Sequence, residues 1–80
     1  MEIQFWRLPA IEANQGLKKS AIQDRINAGL FPRPVSLGGN AVAWISDEVQ
    51  AVNAARVAGK SDDEVRALVT RLHDARRVAA

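Results

Sequence analysis

Apolar residues recur at helical spacing in four stretches of the 80-residue chain and alternate with small or polar residues in three shorter ones. The helical stretches cover residues 9–14, about 18–28, 46–57 and 61–79. The alternating stretches cover residues 3–7, 35–37 and 42–44. The pattern predicts a mainly α-helical fold with a short N-terminal strand or arm, a small β-hairpin and an additional C-terminal helix.

Residues 16–28 predict a tight turn followed by a short exposed helix. Gly16 favours the left-handed conformation that ends a preceding helix. At about 100° per residue, Ile22 and Ile26 share one face and are expected to point into the core. The opposite side and its flanks are polar, with Ser20, Gln23, Asp24, Arg25 and Asn27.

Residues 35–44 predict a two-stranded hairpin. The segment that leads into it, residues 31–35, is expected to be extended and stiff, and we call residues 31–34 the link. Pro32 and Pro34 fix two backbone angles and prevent further helix. The segment Gly38–Asn40 tolerates the positive φ angles that a tight hairpin needs. A lone hairpin is marginal in water, so this one is expected to pack on the helices through Trp44. The order of elements is that of a helix-turn-helix with a wing.

The two ends of the chain are expected to complete the same domain. Residues 3–7 predict an edge strand or arm that places Phe5 or Trp6 on the core. Ser46 is a good N-cap for the third helix, and Ser61 with Glu64 forms a capping box for the fourth. The fourth helix carries an apolar stripe of Val65, Leu68, Val69 and Leu72.

Composition limits the class of protein. Eighty residues form one domain, expected here to span 1–80, and the absence of cysteine excludes disulfides and thiolate metal sites. No apolar run approaches the ~18 residues of a membrane span, and the N-terminus lacks a signal-peptide pattern. Residues 1–45 contain five basic and three acidic residues, whereas residues 46–80 contain six of each. The positive excess therefore lies with the predicted helix-turn-helix.

No catalytic constellation is present, so the sequence predicts no enzyme, no metal and no cofactor. His73 is the single histidine and is expected to be solvated. A chain without tyrosine cannot be a tyrosine recombinase, and Gly38-Gly39 lacks the lysine of a phosphate-binding loop.

Binding to duplex DNA fits the residues around the second helix. A short helix can enter a major groove roughly 12 Å wide. Lys18 and Lys19 suit phosphate contacts, whereas Ser20, Gln23 and Asn27 suit contacts to base edges. The alternative is a polar helix face that meets only water.

Two motifs resemble the AlpA family of phage and prophage regulators. They are Gly16-Leu17-x-x-Ser20-x-Ile22 and, downstream, Phe31-Pro32-Arg33-Pro34-Val35-x-Leu37-Gly38 followed by Ala41-Val42-Ala43-Trp44. The similarity covers about residues 7–57. It implies a winged helix-turn-helix related to the MerR and excisionase domains. It also implies a small transcriptional regulator, often of integrase genes, or a recombination directionality factor.

The resemblance assigns DNA-contacting roles to positions of the second helix and the wing. Three positions depart from the family pattern: Gln23 where tyrosine is frequent, Asp24 where a basic residue is common, and an uncharged Asn40 at the wing tip. Arg25 and Arg33 are expected to supply part of the missing charge. The full set of candidate DNA-binding residues is Lys18, Lys19, Ser20, Ala21, Gln23, Asp24, Arg25, Asn27, Arg33 and Asn40.

The expected partner is double-stranded DNA, with an integrase as a further candidate and no membrane. The stripe of the fourth helix is expected either to close the core or to pair with a second copy on DNA through Val65, Leu68, Val69 and Leu72. The competing function is a protein-interaction module that uses this stripe. A regulator of this kind is expected in the bacterial cytoplasm, associated with the nucleoid through DNA.

Overall fold

The computed structural model describes residues 3–79, with side chains from 3 to 76. The elements in chain order are β1 (Phe5–Trp6), α1 (Leu8–Gln15), α2 (Lys19–Asn27), β2 (Val35–Gly38), β3 (Ala41–Ile45), α3 (Ser46–Val57) and α4 (Asp62–Ala79). This architecture confirms the predicted mainly α fold with a helix-turn-helix, a β-hairpin wing and an additional C-terminal helix. We call the hairpin of residues 35–44 the wing.

The three strands form an antiparallel sheet in the order β1-β3-β2. Trp6 of β1 pairs with Trp44, which confirms the predicted N-terminal edge strand. In the wing, Val35 pairs with Ala43 and Ser36 with Val42. Because side chains alternate along a strand, Val35 and Val42 lie on opposite faces of the sheet. The wing therefore has one apolar face toward α2 and another toward α4.

The core is assembled from every helix, from β3 and from Phe31 in the segment between α2 and β2. Its buried members are Ile11, Ile22, Phe31, Trp44, Val49, Val52, Val65 and Val69. Val65 and Val69 of α4 are 0% and 3% exposed, and Leu68 and Leu72 pack against the same cluster. The stripe of α4 therefore closes the core of its own chain. Of the two expected uses of the stripe, the structure shows closure of the core, and pairing with a second copy through Val65 and Val69 is not supported because both are buried.

Helix ends follow the predicted turn chemistry with one correction. Ser61 and Glu64 form the capping box, with reciprocal bonds of 3.1 and 3.2 Å, and the Ser61 backbone N–H, followed by its hydroxyl, lowers the pKa of Glu64. Ser46 does not cap α3, which it begins. Its hydroxyl instead accepts the N–H of Gln4 at 3.0 Å. The Ser46 side chain thus fastens Gln4, in the N-terminal segment, to the start of α3 and does not cap that helix.

Candidate nucleic-acid interface

The turn before α2 is built from one left-handed glycine and one extended residue. Gly16 has φ 67° and donates its N–H to the carbonyl of Glu12 at 2.8 Å, which ends α1. Lys18 is extended and precedes the first turn of α2. Since no glycine or proline interrupts residues 19–27, the helix then runs for nine residues.

The two sides of α2 differ as the periodicity predicts. Ile22 is 2% exposed and Ile26 is half-buried, and both pack on the core. Lys19, Ser20 and Gln23 are exposed, and so are Asp24 and Asn27. Ala21 and Arg25 are half-buried at the sides of the helix. The polar face therefore points away from the protein, as a helix that enters a groove requires, while its contacts to DNA remain a prediction.

Two amides on the exposed face are joined to each other. Gln23 Nε2 donates to Asn27 Oδ1 at 3.0 Å, which restricts both side chains. The other two polar atoms of these side chains, Gln23 Oε1 and Asn27 Nδ2, have no hydrogen bond to any described residue. The pair consequently presents an acceptor and a donor side by side. The major-groove edge of adenine carries the complementary donor and acceptor.

A groove of about 210 Å³ lies between α2 and the wing. Lys19 and Gln23 line it from α2, and Val42 and Pro34 line it from the wing side. Val42 is 42% exposed. Sequence reasoning did not include Val42 in the candidate surface. Its position next to the glycine-rich turn of the hairpin is the signal that was available.

Two of the candidate residues lie outside α2, between that helix and the end of the wing. Asn40 is exposed at the turn of the wing, and Arg33 has an exposed side chain on the link. The ion pairs among side chains 3–76 all lie between Glu48 and Arg76. Lys18, Lys19 and Arg33 take part in none of them. Their charge is therefore not neutralised by any carboxylate in the described part of the protein.

The backbone of Arg33 is held by two side chains of α4. Its N–H donates to His73 Nε2 at 3.1 Å, and its carbonyl accepts Arg76 Nη2 at 2.7 Å. His73 is thus a partly buried acceptor, which corrects the prediction of a solvated histidine. Burial, then the charges of Arg76 and Arg33, lower the pKa of His73. Pro32 and Pro34 on either side exclude helix at Arg33, so its backbone groups need other partners.

Arg76 also binds the buried carboxylate of Glu48, an ion pair that the sequence analysis did not predict. Its Nε donates to Glu48 Oε2 at 2.8 Å, and its Nη2 donates to Glu48 Oε1. The Glu48 side chain is 7% exposed and the Arg76 side chain 23%. The two-point bond satisfies a charge that would be costly to bury alone.

Among the described residues, no group of three or more His, Asp or Glu side chains is arranged to hold a metal ion. None of the helices described is both long enough and apolar enough to span a membrane.

The comparisons with known proteins agree with the geometry. The model of the prophage CP4-57 regulatory protein (AlpA) family matches residues 4–56. An uncharacterized protein, ORF88 of Enterobacteria phage P4, is 46% identical over 57 residues. That alignment covers 71% of this chain and 65% of the phage protein, so the chain matches just under two thirds of its relative's length. No solved structure matches the chain significantly.

Proposed function

The chain belongs to the AlpA family of phage regulatory proteins, and from this premise we propose that it binds specific duplex DNA. The observation that carries the proposal is the two-sided character of α2. One side is anchored in the core by Ile22. The other presents to solvent the linked amides of Gln23 and Asn27 and basic side chains that form no ion pair among the described residues. The proposed ligand is the major groove for α2, with the wing on the adjacent backbone or groove.

Affinity is proposed to come mainly from phosphate neutralisation by the basic residues around α2. Lys18 and Lys19 lie at the N-terminal end of the helix, where its backbone N–H groups also favour phosphate. Arg33 adds charge on the link, and Arg25 adds charge at the side of the helix. Each phosphate contact contributes through release of counterions, so binding should weaken steeply with salt.

Specificity is proposed to come from the amides on α2. The linked pair of Gln23 and Asn27 offers the acceptor and the donor that adenine requires, and the hydrogen bond between them reduces the entropy lost on binding. Ser20 can bond to either purine or pyrimidine edges. Asp24 is acidic, so a contact with the amino group of cytosine suits it better than one with phosphate.

The biological role is proposed to be regulation of genes of a phage or integrated element. The finer form of that role is transcriptional control of integration genes, or action as a directionality factor beside an integrase. The competing function, a protein-interaction module built on the stripe of α4, loses its main support because Val65 and Val69 are buried in the core.

Selection from a random duplex pool tests the proposal directly. The full chain is mixed with the pool, bound duplexes are amplified over several rounds, and the enriched sites are titrated at several salt concentrations. We expect one enriched site containing at least one A·T pair, and affinity that falls steeply with salt. Gln23→Ala should relax the preference at a single base pair. Recovery of no common sequence would contradict specific binding, and equal affinity at low and high salt would contradict contact with phosphates.

A further inference from the structure

Three side chains of α4 bind the backbone that connects α2 to the wing. Arg66 Nε donates to the carbonyl of Ala28, the C-cap of α2, at 2.9 Å. His73 Nε2 accepts the N–H of Arg33, and Arg76 donates to the carbonyl of the same residue. Residues 66, 73 and 76 are spaced by seven and three positions, so they share one face of the helix. We call these three residues the brace.

The segment that the brace holds can form few backbone hydrogen bonds of its own. It begins where α2 ends and leads directly into β2, and it contains two prolines that cannot donate hydrogen bonds. On its other side, Trp44 Nε1 donates to the carbonyl of Pro32 at 3.0 Å. The segment is therefore fixed between β3 and α4, and its course determines how α2 and the wing are oriented to each other.

The brace lies on a helix that is anchored in the core, and two of its three side chains have partners besides the backbone they bind. Val65 and Val69 anchor α4 in the core, and Glu48 of α3 holds Arg76 through two hydrogen bonds. Asp63 accepts a bond from Arg66 at 3.0 Å. Side chains that are fixed in this way can define a position, because their own geometry is already set by neighbours.

We propose that the brace fixes the relative placement of α2 and the wing, and so sets the affinity with which both bind one DNA site. Arg66, His73 and Arg76 are positioning residues, since they bind backbone groups rather than DNA. The inference rests on the proposed function, because it assigns a role in DNA binding to α4. The brace lies beyond residues 4–56, the part that matches the AlpA family. It would therefore be a feature added to the common domain.

The test uses variants of the full chain that remove the brace bonds and keep side-chain volume. His73→Leu removes the acceptor of the Arg33 N–H, and Arg66→Met removes the donor to Ala28 while keeping an apolar stem. Arg71→Met is the matched control, because Arg71 is exposed on the opposite side of α4. His73→Gln restores an amide oxygen that can accept the bond and serves as the rescue.

The first measurement needs no DNA. Amide hydrogen exchange of Arg33, followed by NMR, should be about tenfold faster in His73→Leu, the factor that corresponds to one lost hydrogen bond. The amide of Ile22, bonded to the Lys18 carbonyl in α2, should be unchanged. His73→Gln should recover part of the protection. An Arg33 amide that is equally protected in His73→Leu and in the unchanged protein would overturn the brace.

The second measurement is binding to the selected site. The double variant Arg66→Met/His73→Leu should bind about three- to tenfold more weakly, as expected when one or two hydrogen bonds no longer hold the binding geometry. Its hydroxyl-radical footprint should lose protection on the wing side and keep it under α2. Arg71→Met should lose no footprint. If the double variant binds as tightly as the control with the same footprint, α4 does not position the wing.

The two measurements separate the inference from the function on which it rests. If the unchanged protein selects no DNA sequence, the proposed function fails, and the exchange of the Arg33 amide still decides whether the brace holds the link. Thermal unfolding shows which variants are folded. Should His73→Leu fail to fold, the single variant Arg66→Met, whose side chain is about half exposed, is used for the footprint with the same expected loss.

Discussion

The helices α2 and α4 are both amphipathic, but their polar side chains have different partners. Each places apolar residues on one face and charged or amide residues on the other. In α2 the exposed amides Gln23 and Asn27 bond only to each other among the described residues, and Lys19 makes no ion pair there. In α4, Arg66 and Arg76 lie on or beside the apolar stripe, not on the outer side where Arg71 is exposed, and they bind backbone and carboxylate groups of the same chain. The polar groups of α2 thus face solvent, whereas those beside the stripe of α4 are used for internal bonding.

The difference explains why net charge alone is a poor guide to this protein. The whole chain carries only +2. The ion pairs found in the described residues lie within 48–76, where they cancel much of the local charge. Lys18, Lys19 and Arg33 form no ion pair within the described residues, so their charge is available to the phosphates of the proposed DNA ligand. Four experiments can test or refine this contrast.

The largest expected effect is on α4. Arg76→Met should lower the free energy of unfolding by about 3 kcal/mol or more, because it leaves the buried carboxylate of Glu48 without its partner. Urea denaturation measures the change. The double variant Glu48→Met/Arg76→Met should recover most of the stability, since no buried charge remains. A single variant as stable as the unchanged protein would show that Glu48 does not depend on Arg76 to stay buried as a carboxylate.

The next effect separates the two faces of α2. Ile22→Ala should cost about 2–4 kcal/mol of unfolding free energy, because it opens a cavity in the core. Gln23→Ala, one position along, should change stability by less than about 0.5 kcal/mol because the side chain is exposed. Thermal and urea denaturation of both variants measure the difference. Comparable losses in the two would mean that Gln23 is needed for folding and is not reserved for a ligand.

A smaller effect concerns the unpaired charge itself. Lys19→Ala should weaken binding to all duplex sequences and reduce the slope of log K against log salt by about 0.9, the value for one phosphate contact. Arg71→Ala, the same loss of charge on the outer side of α4, should leave the slope nearly unchanged. Salt titrations of both variants measure it. An unchanged slope in Lys19→Ala would remove this lysine from the interface.

The smallest effect is the pH dependence that His73 introduces. Its pKa is lowered in the folded protein by burial and by Arg76 and Arg33. The unfolded state therefore takes up a proton at a higher pH than the folded state does. Neutral His73 therefore contributes to the free energy of unfolding above about pH 6.5, and this contribution is lost as pH falls through the lowered pKa. Urea denaturation at pH 7.5 and pH 5 should show a larger decline for the unchanged protein than for His73→Gln. Equal declines would contradict a neutral acceptor at this position.

Local sequence chemistry predicted the elements near the candidate site well. Gly16 required a left-handed turn, Ile22 and Ile26 fixed the buried side of α2, and Gly38–Asn40 set the hairpin. The capping box of Ser61 and Glu64 was also predictable, because both partners lie within one helical turn. Ser46 was not, because its hydroxyl bonds Gln4, which lies 42 residues away.

Local patterns in the sequence were enough to predict which segments are helical, where they turn, and which side of α2 is apolar, because these properties depend on residues within a few positions of one another. The packing of α4 in three dimensions was needed to show that its stripe is buried in this chain. It also decided that His73 and Arg76 bind the link at Arg33, and that Glu48 is paired. Those contacts join groups 28 to 43 residues apart. They exist because α4 docks across the core, and no local periodicity specifies which polar group a docked helix will meet.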